Sequence, residues 1–226
     1  MSLVLNIDTA SENAHISFAE DGKVLHTLNN ESQKEHASFL QAGIEQLIRS
    51  AGINLKDVDA VAVTAGPGSY TGLRVGMASA KGLCYALKKP LITISTLEVL
   101  TASALQIFPN ESESFLLCPM MDARRMEVFT AIYKHDLMVK LQPCAMILHE
   151  LSFEKELAEN KIIFFGSGSA KWKNICKHAN AVFKTVSILP ESMSNLSNSL
   201  FLGKKFTDLA YSEPLYLKEF QTVIKS

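Results

Sequence analysis

Val61-Ala62-Val63-Thr64-Ala65-Gly66-Pro67-Gly68-Ser69-Tyr70-Thr71-Gly72-Leu73-Arg74-Val75-Gly76 runs as a buried strand into a glycine-rich turn, which opens a helix full of small residues. Free N–H groups at such a turn, together with the helix macrodipole, attract anions. A helix of small residues can also pack very closely on a neighbour. The dinucleotide fingerprint GxGxxG fails here, because Gly66 and Gly68 fit but Thr71 holds the third position and Gly72 comes one residue late. The P-loop pattern fails as well, since no Lys-Ser/Thr follows at the required offset. Along the helix, Gly72, Gly76 and Ala80 stand at i, i+4 and i+8, while Ala78, Ser79 and Gly82 keep adjoining faces small. Glycine costs a soluble helix roughly 1 kcal/mol relative to alanine. Glycines at 72, 76 and 82 therefore need a reason, and close approach to the chain's own sheet or to another helix would supply one.

Working outward, a first strand is expected at Leu3–Asp8, followed by strands at 14–20 and 23–30 joined at Asp21-Gly22, a hairpin signal. A helix at 34–51 places Leu40, Ile44, Leu47, Ile48 and Ala51 on one face. Phe39 lies off that stripe beside His36; it either marks a docking face or tucks under a loop. The strand at 58–64 and helix at 70–88 precede a strand at 91–95 and a helix at 96–107. The polar stretch Phe108-Pro109-Asn110-Glu111-Ser112-Glu113 is the best lobe boundary.

The pattern then restarts. Strands are expected at 114–121, ending at Asp122 as the first strand ends at Asp8, and at 126–134 and 137–143. A helix at 150–159 and a strand at Lys161–Phe165 lead into Gly166-Ser167-Gly168-Ser169, an echo of Gly66-Pro67-Gly68-Ser69. Helices at 170–179 and 194–211 flank a short strand near 182–187. Two β-β-β-α-β-α lobes, 1–107 (joined by the helix at 194–211) and a smaller 108–193, define an α/β fold. This duplication resembles the actin/Hsp70/sugar-kinase (ASKHA) architecture, which binds nucleotide between its lobes. In that architecture an Asp at the position of Asp8 helps hold metal and phosphate. A local turn-capping hydrogen bond is the alternative role for Asp8, and the favoured one without further ligands.

Composition narrows the function. Twenty-two basic and 23 acidic side chains give 226 residues a formal charge of −1, and only short clusters such as Arg124-Arg125 and Lys204-Lys205 are basic. A dedicated nucleic-acid binder carries a basic stripe, so any nucleic acid would meet most of its phosphate contacts on another subunit. Cys84, Cys118, Cys144 and Cys176 form no CxxC, and no leader or membrane-length apolar run occurs. Reduced thiols, mostly buried, and a cytoplasmic setting are expected. His15, His26, His36, His135, His149 and His178 include no i, i+3 or i, i+4 pair, and neither Ser69 nor Ser169 lies in GxSxG. Asp122-Ala123-Arg124-Arg125-Met126-Glu127 reads as a charged turn between strands.

Taken together, these segments closely resemble the TsaB (YeaZ) family. The resemblance rests on Asn6-Ile7-Asp8-Thr9-Ala10, the His36–Ile48 helix, Ala65-Gly66-Pro67-Gly68-Ser69-Tyr70-Thr71-Gly72-Leu73-Arg74 and Ile94-Ser95-Thr96-Leu97-Glu98. Met121-Asp122-Ala123-Arg124 with Glu127-Val128-Phe129, and Pro214-Leu215-Tyr216-Leu217-Lys218, continue it in family order. The family commonly has Arg where Lys218 stands, a mild departure.

The resemblance implies a non-catalytic, activating subunit in the making of tRNA N6-threonylcarbamoyladenosine. Its partners would be a metal-bearing TsaD-type transferase and a TsaE-type ATPase. It would carry no cofactor of its own, with ATP/ADP and metal on the partner subunits, and would form a homodimer when alone. It would reach tRNA only through the complex, with no membrane involved. TsaD-type chains carry a His-x-x-x-His metal pair where Thr96 and Leu100 stand here. The resemblance also implies docking through the helices at 34–51 and 70–88, hence through His36, Phe39, Leu40, Gly72, Val75, Gly76, Ser79 and Ala80. Asp8, Thr9, Gly66, Gly68 and Asp122 would mark a vestigial nucleotide site. A stand-alone ATPase or small-molecule kinase of the same fold is the competing reading, and a metallopeptidase, which the missing histidine pair opposes, a third.

Overall fold

A computed structural model describes residues 1–11, 13–30, 36–112 and 114–218, with backbone alone for 36–38, 111 and 112. The expected helix start at 34–35 and the final part of the expected boundary stretch, Glu113, lie outside the described residues.

Alternation builds the first sheet. In β1 (Leu3–Asp8), Leu3, Leu5 and Ile7 face an outer core, while Val4 faces the interior between the lobes. β2 (Ala14–Glu20) and β3 (Lys23–Asn30) pair antiparallel on one side of it. β4 (Ala60–Gly66) and β5 (Leu91–Ser95) run parallel on the other, giving the order β3-β2-β1-β4-β5. β4 repeats the division: Val61 and Val63 face outward, Ala60 and Ala62 inward. Helices α1 (His36–Ala51) and α2 (Tyr70–Leu87) cover the outer face through Leu40, Ile44, Leu47, Met77, Ala80 and Cys84.

The second half rebuilds the same arrangement. β6 (Leu116–Asp122), β7 (Glu127–Tyr133), β8 (Val139–Ile147), β9 (Ile162–Phe165) and β10 (Ala181–Phe183) give the order β10-β9-β6-β7-β8. Read from the other edge, each element occupies the place of its first-half counterpart. Between the sheets lies a shared layer of α3 (Thr96–Ile107) and α7 (Pro190–Leu202), and the single turn α4 (Pro109–Ser112) follows α3. The far face of the second sheet packs on α5 (Glu154–Glu159) and α6 (Ser169–Lys173) around Trp172, whose ring meets Phe153 and Phe164 edge-on at 5.1 and 4.6 Å.

Several boundaries differ from expectation. The helix expected at 170–179 stops at Lys173, the one expected at 150–159 starts at Glu154, and the strand expected at 182–187 is Ala181–Phe183. The largest shift is at the end of the chain, where the helix expected at 194–211 is Pro190–Leu202. Pro190 sits in the first turn, where its missing N–H costs nothing, and Gly203 with left-handed Lys204 (φ 52°) stops the helix. Buried Ser192, Ser194 and Ser197 let α7 lie close to the first sheet, where Asn6 Nδ2 donates to Ser194 Oγ at 3.3 Å. Of the four thiols, Cys84 and Cys118 are buried and Cys144 and Cys176 half-buried; all are free. No described helix is long and apolar enough to cross a membrane.

Candidate functional site

The exit of β1 lies directly on the first turns of α2. Thr9 Oγ1 donates to the Gly72 carbonyl at 2.7 Å, and the Ser69 N–H donates to the Ala10 carbonyl at 2.7 Å. Ser69 caps α2, its hydroxyl accepting the Gly72 N–H at 3.3 Å. A Cβ on Gly72 would sit 2.0 Å from the Thr9 carbonyl oxygen, and one on Gly76 2.3 Å from Thr9 Oγ1. Ala80 and Leu40 are fully buried in the outer core. Leu40, Gly72, Gly76 and Ala80, expected at an interface, turn their small or apolar faces to the chain's own packing. Gly68 is also taken internally, 2.3 Å from the Ala10 carbonyl oxygen at its Cβ position.

The remaining expected interface residues lie nearer the surface. Phe39 and Val75 are half-buried on the rim of the outer core. Phe39 lies against Gly43, whose Cβ would come within 3.1 Å of its ring. Ser79 accepts a hydrogen bond from Gln41 Nε2 at 3.0 Å, tying α2 to α1. His36 opens α1, and its side chain lies outside the described residues.

The exposed ridge of α2 is formed instead by Thr71, Arg74, Ala78, Gly82, Tyr85 and Ala86. Gly82 is the informative member: nothing comes within 4 Å of its Cβ position. Tyr85, one turn on, is 81% exposed. Beside this ridge, α1 presents Ala42, Glu45, Gln46, Arg49 and Ser50 around an open depression of about 530 Å³. Ala78, Gly82 and Ala86 repeat every four residues, as Gly72, Gly76 and Ala80 do. That second stripe has the same spacing in the sequence, and only the fold separates the two.

The residues expected in a nucleotide site are committed elsewhere. Asp8 is fully buried, and its Oδ1 accepts the Thr64 hydroxyl at 2.8 Å and the Ala10 N–H at 3.0 Å, a local turn bond. Thr9 is fully buried on α2. Gly66 adopts φ 112°, a conformation that favours glycine, and the Leu215 carbonyl oxygen lies 2.8 Å from its Cβ position. The Leu215 N–H in turn donates to the Ala65 carbonyl at 2.7 Å. A phosphate needs donors here, yet the turn meets a carbonyl oxygen, so these residues do not fit a nucleotide at the first-lobe turn. In the seam between lobes, Leu100 packs within 2.8 Å of the Cβ position of Gly166. Among the described residues, no three His, Cys, Asp or Glu side chains gather as metal ligands.

Asp122 organises a turn. Its Oδ1 accepts the Arg124 N–H at 2.5 Å and the Lys171 ammonium at 2.9 Å, and Lys171 also donates to the Arg125 and Glu127 carbonyls at 2.8 and 2.6 Å. Arg124 and Arg125 both have positive φ (70° and 50°), and these bonds hold that tight turn. Partial burial alone would raise the Asp122 carboxyl, but the Lys171 and Arg124 donors hold it below its ordinary value. A depressed carboxylate stabilises above its unfolded pKa, and that contribution is lost as pH falls through the folded value. The turn should therefore keep its protection at neutral pH and lose it only below about pH 4. Amide exchange at Arg124 followed against pH checks this, and Asp122→Asn should flatten the dependence.

Two five-stranded sheets of identical order about a helical layer define the ASKHA class of two-lobe proteins. The match extends to an inorganic polyphosphate/ATP-glucomannokinase from an Arthrobacter strain, at TM-score 0.51 and 10% identity over 89% of this chain and all of that one. A family model described as TsaD, tRNA N6-adenosine threonylcarbamoyltransferase, matches residues 28–212. The Escherichia coli tRNA threonylcarbamoyladenosine biosynthesis protein TsaB is 26% identical, over 95% of this chain and 94% of that protein. The crystal structure of YeaZ from Pseudomonas aeruginosa superposes at TM-score 0.80 and 24% identity, over 96% of this chain and all of that one. The chain belongs to the TsaB (YeaZ) branch of this family.

Proposed function

We propose that this chain is the non-catalytic, activating subunit of the machinery that makes tRNA N6-threonylcarbamoyladenosine. It would dock a TsaD-type transferase through the outer faces of α1 and α2, with a TsaE-type ATPase joining the pair. Relatives named for this biosynthesis support the pathway. The observation that carries the docking role is Gly82. In the isolated chain its lack of a side chain relieves no contact, yet it costs the helix roughly 1 kcal/mol relative to alanine. Close approach of a partner helix over Ala78, Gly82 and Ala86 gives that cost a purpose. Nucleotide and metal chemistry then belong to the partner subunits, and tRNA is met through the assembled complex.

Mixing the purified chain with its cognate TsaD-type protein should give a heterodimer on size exclusion, and transfer of the threonylcarbamoyl group should depend on both. Full transfer by the TsaD-type protein alone would remove the activating role. Asp8 and the two glycine turns motivate the rival reading, a free-standing ATPase or kinase. Micromolar binding of magnesium-ATP to the isolated chain by calorimetry would favour that rival.

A further inference from the structure

The described residues beyond α7, 203–218, form no helix, yet they are held at successive points. Thr207 bridges to Leu91 on the edge strand β5, its N–H donating to the Leu91 carbonyl at 2.8 Å and its hydroxyl lying 2.8 Å from that of Thr93. Leu209 packs on the outer core. Lys81 on α2 donates to the Ala210 and Ser212 carbonyls at 3.2 and 2.9 Å. Leu215 bonds Ala65 and covers Gly66. The Tyr216 ring meets Tyr70, the first residue of α2, with centroids 5.5 Å apart. Lys218 then crosses to the second lobe and pairs with Glu127 of β7 at 2.6 Å.

We propose that residues 207–218 are an intramolecular strap that covers the Gly66 turn and fixes α2 and the second lobe in one arrangement. Its Leu215 carbonyl faces the first-lobe turn, and its Lys218 cation supplies the contact to β7. The strap thus links the two lobes permanently and leaves no room for an anion on the glycine face of that turn, whether or not α1 and α2 dock a partner.

Hydrogen exchange on the full chain tests this. In the parent, 207–218 should be protected, and millimolar magnesium-ATP should leave exchange of 65–74 unchanged. Leu215→Pro with Tyr216→Ala removes the N–H to Ala65 and the ring on Tyr70. Exchange should then rise at least ten-fold in 207–218 and 65–74, and at least several-fold in 122–133. Lys218→Glu, a substitution at a half-exposed position that the fold tolerates, should raise exchange in 122–133 alone, and adding Glu127→Lys should restore it. Three results would each overturn the strap: rapid exchange of 207–218 in the parent, protection of 65–74 by magnesium-ATP in the parent, or no change in 122–133 with Lys218→Glu.

Discussion

Gly72→Ala should destabilise the chain by about 3 kcal/mol or more, even though alanine is the better helix former. The reason is geometric. The new methyl would fall 2.0 Å from the Thr9 carbonyl oxygen, and backbone lies on both sides of that contact. No rotamer can relieve it, so β1 must move off α2 and the Thr9 hydroxyl must lose the Gly72 carbonyl. Gly76→Ala meets the Thr9 hydroxyl at 2.3 Å. A hydroxyl can rotate away at the loss of one hydrogen bond, so the cost should be roughly 1–2 kcal/mol. Gly82→Ala meets nothing and should stabilise by roughly 0.5–1 kcal/mol. Urea denaturation of the three variants would show the order and the change of sign. Equal losses at all three positions would mean that the glycines share one role, which the contacts at Thr9 deny.

Ala78→Arg and Gly82→Leu should produce the opposite separation. Both positions are exposed, so neither substitution should lower the unfolding midpoint noticeably. Each places a bulky side chain on the ridge that is proposed to meet the TsaD-type partner. Affinity should fall by at least about 2 kcal/mol, some thirty-fold in Kd. Threonylcarbamoyl transfer at limiting concentration should fall with it and recover when the variant is supplied in excess. Unchanged affinity in both variants would take the outer face of α2 out of the interface, while the family and the fold would stand. The pair with Gly82→Ala is the useful contrast, since that variant should gain stability and bind less tightly.

Much of the fold was written in short-range patterns. Period-two strands, the Asp21-Gly22 hairpin and the Ser69 cap each specify structure from residues within a few positions of one another, and the observed elements follow them. The site was harder to read, because both glycine stripes on α2 have the same spacing. Only the position of Thr9, more than sixty residues earlier in sequence, decides which stripe faces inward. The end of the chain misled for a related reason. Between Glu191 and Glu213 the sequence has no proline and Gly203 as its single glycine, so little in it marks an early end to the helix. Yet Thr207 and Leu215 find better partners on β5 and at Ala65, which no local pattern announces.

Residues 190–218 therefore complete the sheet built from residues 3–95, which leaves the ribosome before them. Ser194 meets Asn6, Thr207 closes the edge at Leu91, and Leu215 seals the turn at Ala65. On the ribosome, β1 to β5 must wait with part of one sheet face uncovered until α7 and the segment after it have emerged. Non-local pairing of this kind delays folding and leaves apolar surface exposed in the meantime. A premature stop shortly before Pro190 would thus injure the sheet of residues 3–95 more than its own neighbourhood in sequence, and nascent chains would need shielding until residue 218 has emerged.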